Sequence, residues 1–188
     1  MTAKRTWVVV GGFVVLGGVA SLLSAYSGAS SSQGFSPVQP IKFPHPVHVQ
    51  TLQMNCLYCH YSAATSPDPG IPAVSTCMGC HTIVGPDRPA VEGREAFRSE
   101  EIAKLQQYAA ENQPIPWVRI HKLPEYVRFP HMRHVSAGVT CQTCHGEVQN
   151  MQQVHQAATL DMGWCLSCHV GQSNPPLRAR YDCAVCHY

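Results

Sequence analysis

All ten cysteines of the 188-residue chain fall into Cys-x-x-Cys pairs: Cys56 with Cys59, Cys77 with Cys80, Cys141 with Cys144, Cys165 with Cys168, and Cys183 with Cys186. A histidine follows each pair at once: His60, His81, His145, His169 and His187. Two thiols three residues apart lie on one turn of chain, so both can reach the two vinyl groups on one porphyrin edge. The next side chain is carried beneath the ring, where its imidazole meets the iron. The triplet CxxCH is the attachment signature of c-type haem. Disulfides in an exported chain and zinc or iron–sulfur sites also use such pairs, but neither requires a histidine after every one. The spacing predicts five covalently attached haem c groups.

An iron with one histidine still has an open sixth position. Six histidines remain: His45, His48, His121, His131, His134 and His155. Four come from a repeated hexapeptide, "FPHPVH" at 43–48 and "FPHMRH" at 129–134, each shortly ahead of a CxxCH. Proline is well tolerated at a first helical position, and residues i and i+3 share a helix face. Two imidazoles on one face cannot both sit opposite the same proximal histidine. They can serve two different irons, which makes those haems close neighbours.

The rest of the chain must position these groups. Charged residues make up only 13%, and the formal charge is +2, so no nucleic-acid-binding footprint is present. Leu, Ile, Val and Phe are too sparse after residue 30 to build a conventional core, and haems are expected to fill it. Short helices starting near each CxxCH, Pro- and Gly-rich loops and little sheet follow from that. Between the second and third motifs, "SEEIAKLQQYAAENQP" reads as a helix with Ser99 as N-cap and Ile102, Leu105 and Ala109 on one apolar face. Gln113-Pro114 ends it. Residues 6–26 carry no charge, and a helix of that length spans a bilayer core of about 30 Å. Trp7 and Tyr26 at its ends, and Lys4 and Arg5 before it, predict one N-terminal span with a cytoplasmic N-terminus. The remainder would then lie on the periplasmic or extracytoplasmic side. Gly17, Ser21 and Ala25 form a small-residue stripe that suits a membrane partner, and 27–34 reads as a flexible tether.

FxHxxH followed by CxxCH resembles the multihaem cytochromes of the c3/c7 type. That resemblance implies that the first histidine of each hexapeptide caps the haem that follows and the second caps another nearby. His45 would pair with His60, His131 with His145, His48 with His81, and His134 with His169. In the same pattern a histidine shortly before a middle CxxCH caps the last haem. Here that neighbourhood reads "LDMGWCLSCH", making Met162 the first candidate for the iron of His187. Met151 and His121 are rivals, and His155 is a weaker one. Methionine is a legitimate axial ligand that raises the potential relative to histidine.

The longer run "WVRIHKLPEYVRFPHMRHVSAGVTCQTCHG", continuing through "LDMGWCLSCH", resembles the pentahaem cytochrome subunit of alternative complex III. This implies an electron-transfer subunit of a membrane quinol oxidoreductase, with no catalytic site in the chain. The implied partners are quinol-oxidising integral membrane subunits, an iron–sulfur subunit and a monohaem cytochrome. Electrons would leave to a downstream cytochrome, copper protein or terminal oxidase. The expected fold is a mainly α and irregular, haem-cored multihaem cytochrome c domain with little sheet and one N-terminal transmembrane helix. The expected organisation is an anchor at 1–30 (helix about 6–26), a two-haem module at 31–90, a helical linker at 91–121 and a three-haem module at 122–188. One rival reading is a self-sufficient, membrane-anchored quinol dehydrogenase feeding a periplasmic reductase, which would need its own quinol pocket. The other is a multihaem catalyst, which would need an iron lacking a sixth protein ligand.

Overall fold

The computed structural model describes residues 2–27, 32–171 and 179–188. Short helices and irregular connections dominate. α1 spans Thr2–Ser27. Beyond it lie α2 (Cys56–Cys59), α3 (Val74–His81), α4 (Glu100–Ala110), α5 (His131–Ser136), α6 (Cys141–His145), α7 (Met162–His169) and α8 (Cys183–Cys186). Sheet is confined, among the described residues, to one two-residue ladder, β1 (Asp87–Arg88) and β2 (Phe97–Arg98), antiparallel with Asp87 opposite Arg98.

Two compact units can be distinguished. The larger comprises Gly34–Lys122 and Phe129–Gln156, and the smaller Met1–Gln33, Leu123–Arg128 and Ala157–Tyr188. The first three CxxCH motifs lie in the larger unit and the last two in the smaller.

Apolar packing is thin, as the composition implies. Among the described residues the buried hydrophobic side chains are Ile41, Leu105 and Ile115, with Val74, Cys77, Met78, Tyr108 and Trp117 packed around them. α4 supplies Leu105 because Ser99 starts it in the right register: the Ser99 hydroxyl accepts from Ile102 N at 3.3 Å. Glu100 and Glu101 occupy its first turn, where negative charge is favoured. Asn112 then turns left-handed at φ +51°, closing the helix before Pro114. α4 packs on α3, so this small cluster braces the second CxxCH from behind.

The N-terminal expectation is corrected. The segment 6–26 is helical within α1, but among the described residues no helix is long and apolar enough to cross a membrane. The transmembrane helix in the expected fold class is therefore unsupported, as are the cytoplasmic N-terminus and the extracytoplasmic placement derived from it. Among the described residues of α1, Gly11, Gly12, Gly17 and Gly18 interrupt a run of exposed apolar side chains that includes Val10, Phe13, Leu16, Val19 and Leu22. The stripe of Gly17, Ser21 and Ala25 loses its stated purpose with the span, and the side chain of Ala25 lies outside the described residues. So do positions 28–31 of the expected tether.

Leu105 is 6% exposed at the centre of the apolar cluster. Leu105→Ala is expected to destabilise the fold by about 2–4 kcal/mol through lost burial and a residual cavity. Denaturant titration followed by far-UV circular dichroism measures it.

Candidate metal centres

Each CxxCH is mounted on a short helix in one of two ways. In α2, α6 and α8 the first cysteine opens the helix, and the residue before it is the N-cap: Asn55, Thr140 and Asp182. The Asn55 side chain accepts from Leu57 N at 2.8 Å. In α3 and α7 the helix starts three residues earlier, after Ala73 and Asp161. The Asp161 carboxylate accepts from Trp164 N at 2.8 Å. Both mounts put the two thiols on one turn, with the histidine just beyond the second.

The two hexapeptides adopt nearly the same local geometry. Phe43 stacks on His48 with ring centres 4.3 Å apart and meets His45 edge-on at 4.8 Å. Phe129 stacks on His134 at 4.3 Å and meets His131 edge-on at 4.8 Å. In each copy the second histidine donates its Nδ1 proton to the carbonyl four residues back, Pro44 or Pro130, at 3.1 Å. That donation fixes the tautomer and leaves Nε2 as the unprotonated nitrogen, as metal-ligating histidines require. The repeat therefore encodes a rigid presentation of two imidazoles, and its phenylalanine is part of the device.

Several CxxCH histidines are oriented the same way. His81 donates through Nδ1 to Val84 O at 3.0 Å, and His169 to Arg180 O at 2.6 Å. The Gly70 backbone also acts on His60, opposing the effect of its burial. In the second hexapeptide His131 donates through Nδ1 to Pro67 O at 3.3 Å.

Within the larger unit the rings meet in pairs. His48 and His81 have ring centres 6.3 Å apart, as do His131 and His145. Two imidazoles bound at about 2 Å on opposite sides of one metal would place their ring centres roughly 6 Å apart. The charge of His60 acts on His45. His121 meets His145 edge-on at 4.4 Å, and His155 lies beside His121. The thiols of the three motifs act on one another's charge: Cys56 raises Cys141, Cys80 raises Cys59, and Cys59 raises Cys77, each after the larger effect of burial. Cys144 completes the third motif near the end of α6, half-buried and next to His145.

Met151, half-buried, belongs to the larger unit. In the smaller unit Cys165 faces Cys186, and Met162 opens α7 with 57% of its surface exposed. Cys168 is half-buried in the last turn of α7, its sulfur 4.0 Å from the Ser167 hydroxyl. Cys183 opens α8 and is exposed. The last motif is strapped to the segment 126–128. Val127 bridges His187, Arg128 N donates to Cys186 O at 2.7 Å, and Tyr188 N donates to Tyr126 O at 3.1 Å. Tyr126 stacks on His187 at 5.8 Å, and the Arg128 guanidinium lies 4.2 Å above the Tyr188 ring. Sequence reasoning missed this strap, because a turn and a single bridge residue carry no periodicity.

The donor set fits haem. All ten cysteines, Cys144 and Cys168 included, are thiols outside any disulfide. Among the described residues no group of three or more His, Cys, Asp or Glu is arranged to hold a bare ion. The cysteines and histidines of each CxxCH thus do not gather as ligands of zinc. Two side-chain nitrogens per site suit an iron whose other four ligands come from a macrocycle, with the thiols left to attach it. His45 Nδ1 and His121 Nε2 are buried without a hydrogen-bond partner, an arrangement that normally calls for an explanation.

Burial keeps these imidazoles neutral. It lowers His45 to about 4, helped by His60 and His48, and lowers His145 to about 4, helped by His121, His131 and His60. His121 is lowered by burial, then by His131 and His155. His60 is lowered by burial against the opposing pull of the Gly70 carbonyl. Neutral imidazole is the form that binds metal.

The sign of the pH dependence follows. His45 and His145 sit near 4 when folded, against 6.5 in an unfolded chain. Between those values the unfolded chain binds the extra protons. Their contribution to stability is whole above 6.5 and declines as pH falls toward 4. The thermal midpoint is expected to drop between about pH 7 and pH 4.5; a flat or rising midpoint would contradict this.

Residues 127–188, spanning the second hexapeptide and the last three motifs, match the family described as cytochrome c7 and related cytochrome c. Over 171 residues the chain is 25% identical to the menaquinone reductase, multiheme cytochrome c subunit, of Nitratidesulfovibrio vulgaris (strain Hildenborough), covering 79% of this chain and 76% of that protein. With the five CxxCH motifs, both likenesses support a multihaem cytochrome c.

Proposed function

We propose that the chain is a multihaem electron-transfer subunit of a quinol-linked oxidoreductase complex, carrying five covalent haem c groups and no catalytic site of its own. The observation that carries this reading is the pairing of His48 with His81, and of His131 with His145, at 6.3 Å. When bound, haem supplies a one-electron iron couple and no bond-making chemistry of its own.

The chain's residues do the rest. Five thiol pairs anchor: Cys56 and Cys59, Cys77 and Cys80, Cys141 and Cys144, Cys165 and Cys168, Cys183 and Cys186. His60, His81, His145, His169 and His187 would each hold an iron. His45, His48, His131 and His134 would supply second imidazoles, with His134 assigned to the haem of His169 on the c3/c7 pattern. Met162 is the proposed ligand opposite His187, with which it shares a compact unit. Met151 and His121 remain its rivals. In the larger unit, the thiols of the first three motifs act on one another's charge, which supports closely spaced sites suited to conducting electrons.

The finer assignment is a pentahaem subunit of alternative complex III. Its partners would be quinol-oxidising integral membrane subunits, an iron–sulfur subunit and a monohaem cytochrome, with a downstream cytochrome, copper protein or terminal oxidase as acceptor. A second reading reverses the flow. The relative's name describes a menaquinone reductase, so electrons could run through this chain toward a quinone. Paired imidazoles conduct in either direction, and the potentials of the partners decide.

The test is reduction by quinol. The chain isolated with its partners in mild detergent should have its haems reduced when a menaquinol analogue is added. The chain alone should stay oxidised under the same treatment, although dithionite reduces both. Reduction of the isolated chain by quinol would instead identify a self-sufficient quinol dehydrogenase. Oxidation of the reduced complex by added quinone would favour the reverse flow.

A further inference from the structure

Helical backbone carries the histidine of every CxxCH motif but the last. His81, His145 and His169 lie inside α3, α6 and α7, and His60 joins α2 to a further helical turn over Tyr61–Ala64. His187 differs. Its backbone is extended, at φ −118° and ψ 147°, just past the short α8. α2 is equally short, but the Asn55 side chain caps it, whereas the Asp182 side chain does not cap α8. Local structure therefore gives the last imidazole little of a mount.

The strap 126–128, which shares the smaller unit with α8, supplies one. Arg128 N donates to Cys186 O at 2.7 Å and Tyr188 N to Tyr126 O at 3.1 Å, on either side of the bridge between Val127 and His187. The residues before and after His187 are thus gripped by the same short stretch. Val127 N donates to Pro124 O at 2.9 Å, so a turn anchors the strap in its place. The Arg128 guanidinium, 4.2 Å from the centre of the Tyr188 ring, adds a cation–π contact. Against the imidazole itself lies Tyr126, with ring centres 5.8 Å apart and planes inclined by 25°. That geometry falls within the range of offset aromatic stacking. His81 and His169 are aimed by carbonyls that accept from Nδ1; at His187 the neighbour is an aromatic face.

We infer that Tyr126 is a positioning residue for the haem attached to Cys183 and Cys186: its ring, held by the strap, sets the plane of the His187 imidazole. The inference rests on the haem reading above, in which His187 holds that iron. Groups beyond a metal ligand orient it and tune the metal. The last torsion of a histidine side chain is broad, so a flat ring stacked on the imidazole restricts a rotation that the backbone leaves free. The plane of an axial imidazole decides how its π orbital meets the iron d orbitals, and with it the g values of the ferric low-spin ion. An aliphatic side chain of similar size fills the space without offering a plane. The hydroxyl of Tyr126 has no part in this, so phenylalanine should serve as well.

The experiment uses the full-length holoprotein. Tyr126→Leu is expected to move the g values of one ferric low-spin electron paramagnetic resonance signal and to shift one component of a redox titration. Haem content and the remaining signals should stay as in the wild type. Tyr126→Phe, which keeps the ring, is expected to retain the wild-type spectrum. If Tyr126→Leu does not accumulate, Tyr126→Met carries the same expectation. An aliphatic variant in which every signal stays fixed, or several move together, overturns the positioning role. So does a Tyr126→Phe spectrum disturbed as much as that of Tyr126→Leu. Wild-type protein whose Cys183 and Cys186 thiols can still be alkylated would overturn the inference together with the haem reading of that motif. Blocked thiols and normal wild-type signals, with an unmoved aliphatic variant, defeat the role of Tyr126 alone.

Discussion

An imidazole can bind iron only through a nitrogen that carries no proton, and an imidazole aimed wrongly binds nothing. The hydrogen bond from the opposite ring nitrogen to a backbone carbonyl meets both demands, and much of this structure serves to deliver it. Pro44, Val84, Pro130, Pro67 and Arg180 each lend a carbonyl to a histidine ring. Burial of His45 and His145 adds the second guarantee, neutrality well below the usual histidine value. Short helices, tight turns and abundant proline make sense in these terms: they aim carbonyls and rings rather than fill a core.

That economy explains what could be read from the sequence. The CxxCH triplets and the FPHxxH repeat are covalent and periodic signals, and they named the residues that the structure brings together in the larger unit. Ser99 was legible as a cap because capping is local chemistry. The carbonyl partners were not legible, since every residue has a carbonyl and only the fold decides which one points at a ring. The strap of 126–128 onto the last motif is hidden for the same reason. The membrane span rested on an uncharged run, its length and its flanking residues, and among the described residues no helix is long and apolar enough to cross a membrane. The significance of Phe43 and Phe129 was visible only as repetition; their stacking on His48 and His134 gives it a physical cause.

The likenesses to known proteins agree with this picture at the level of the motifs. The cytochrome c7 match begins at residue 127, beside the second hexapeptide, where presentation and attachment are most compactly combined. The first hexapeptide and its two motifs repeat the design, and the Pro67 carbonyl, which accepts from His131 N at 3.2 Å and from its Nδ1 at 3.3 Å, links the two copies inside one unit. A chain arranged this way holds redox groups at fixed separation and orientation. Positioning of that kind suits conduction between partners in either direction.

The central claim is that five haems are covalently held by this one polypeptide. The intact mass of the denatured, purified chain tests it most directly. The account predicts a mass exceeding that of the 20.6 kDa polypeptide by five haem c groups, with no thiol left to alkylate. A mass equal to the bare chain, or an excess of four haems or fewer with alkylatable cysteines in a CxxCH pair, would contradict it.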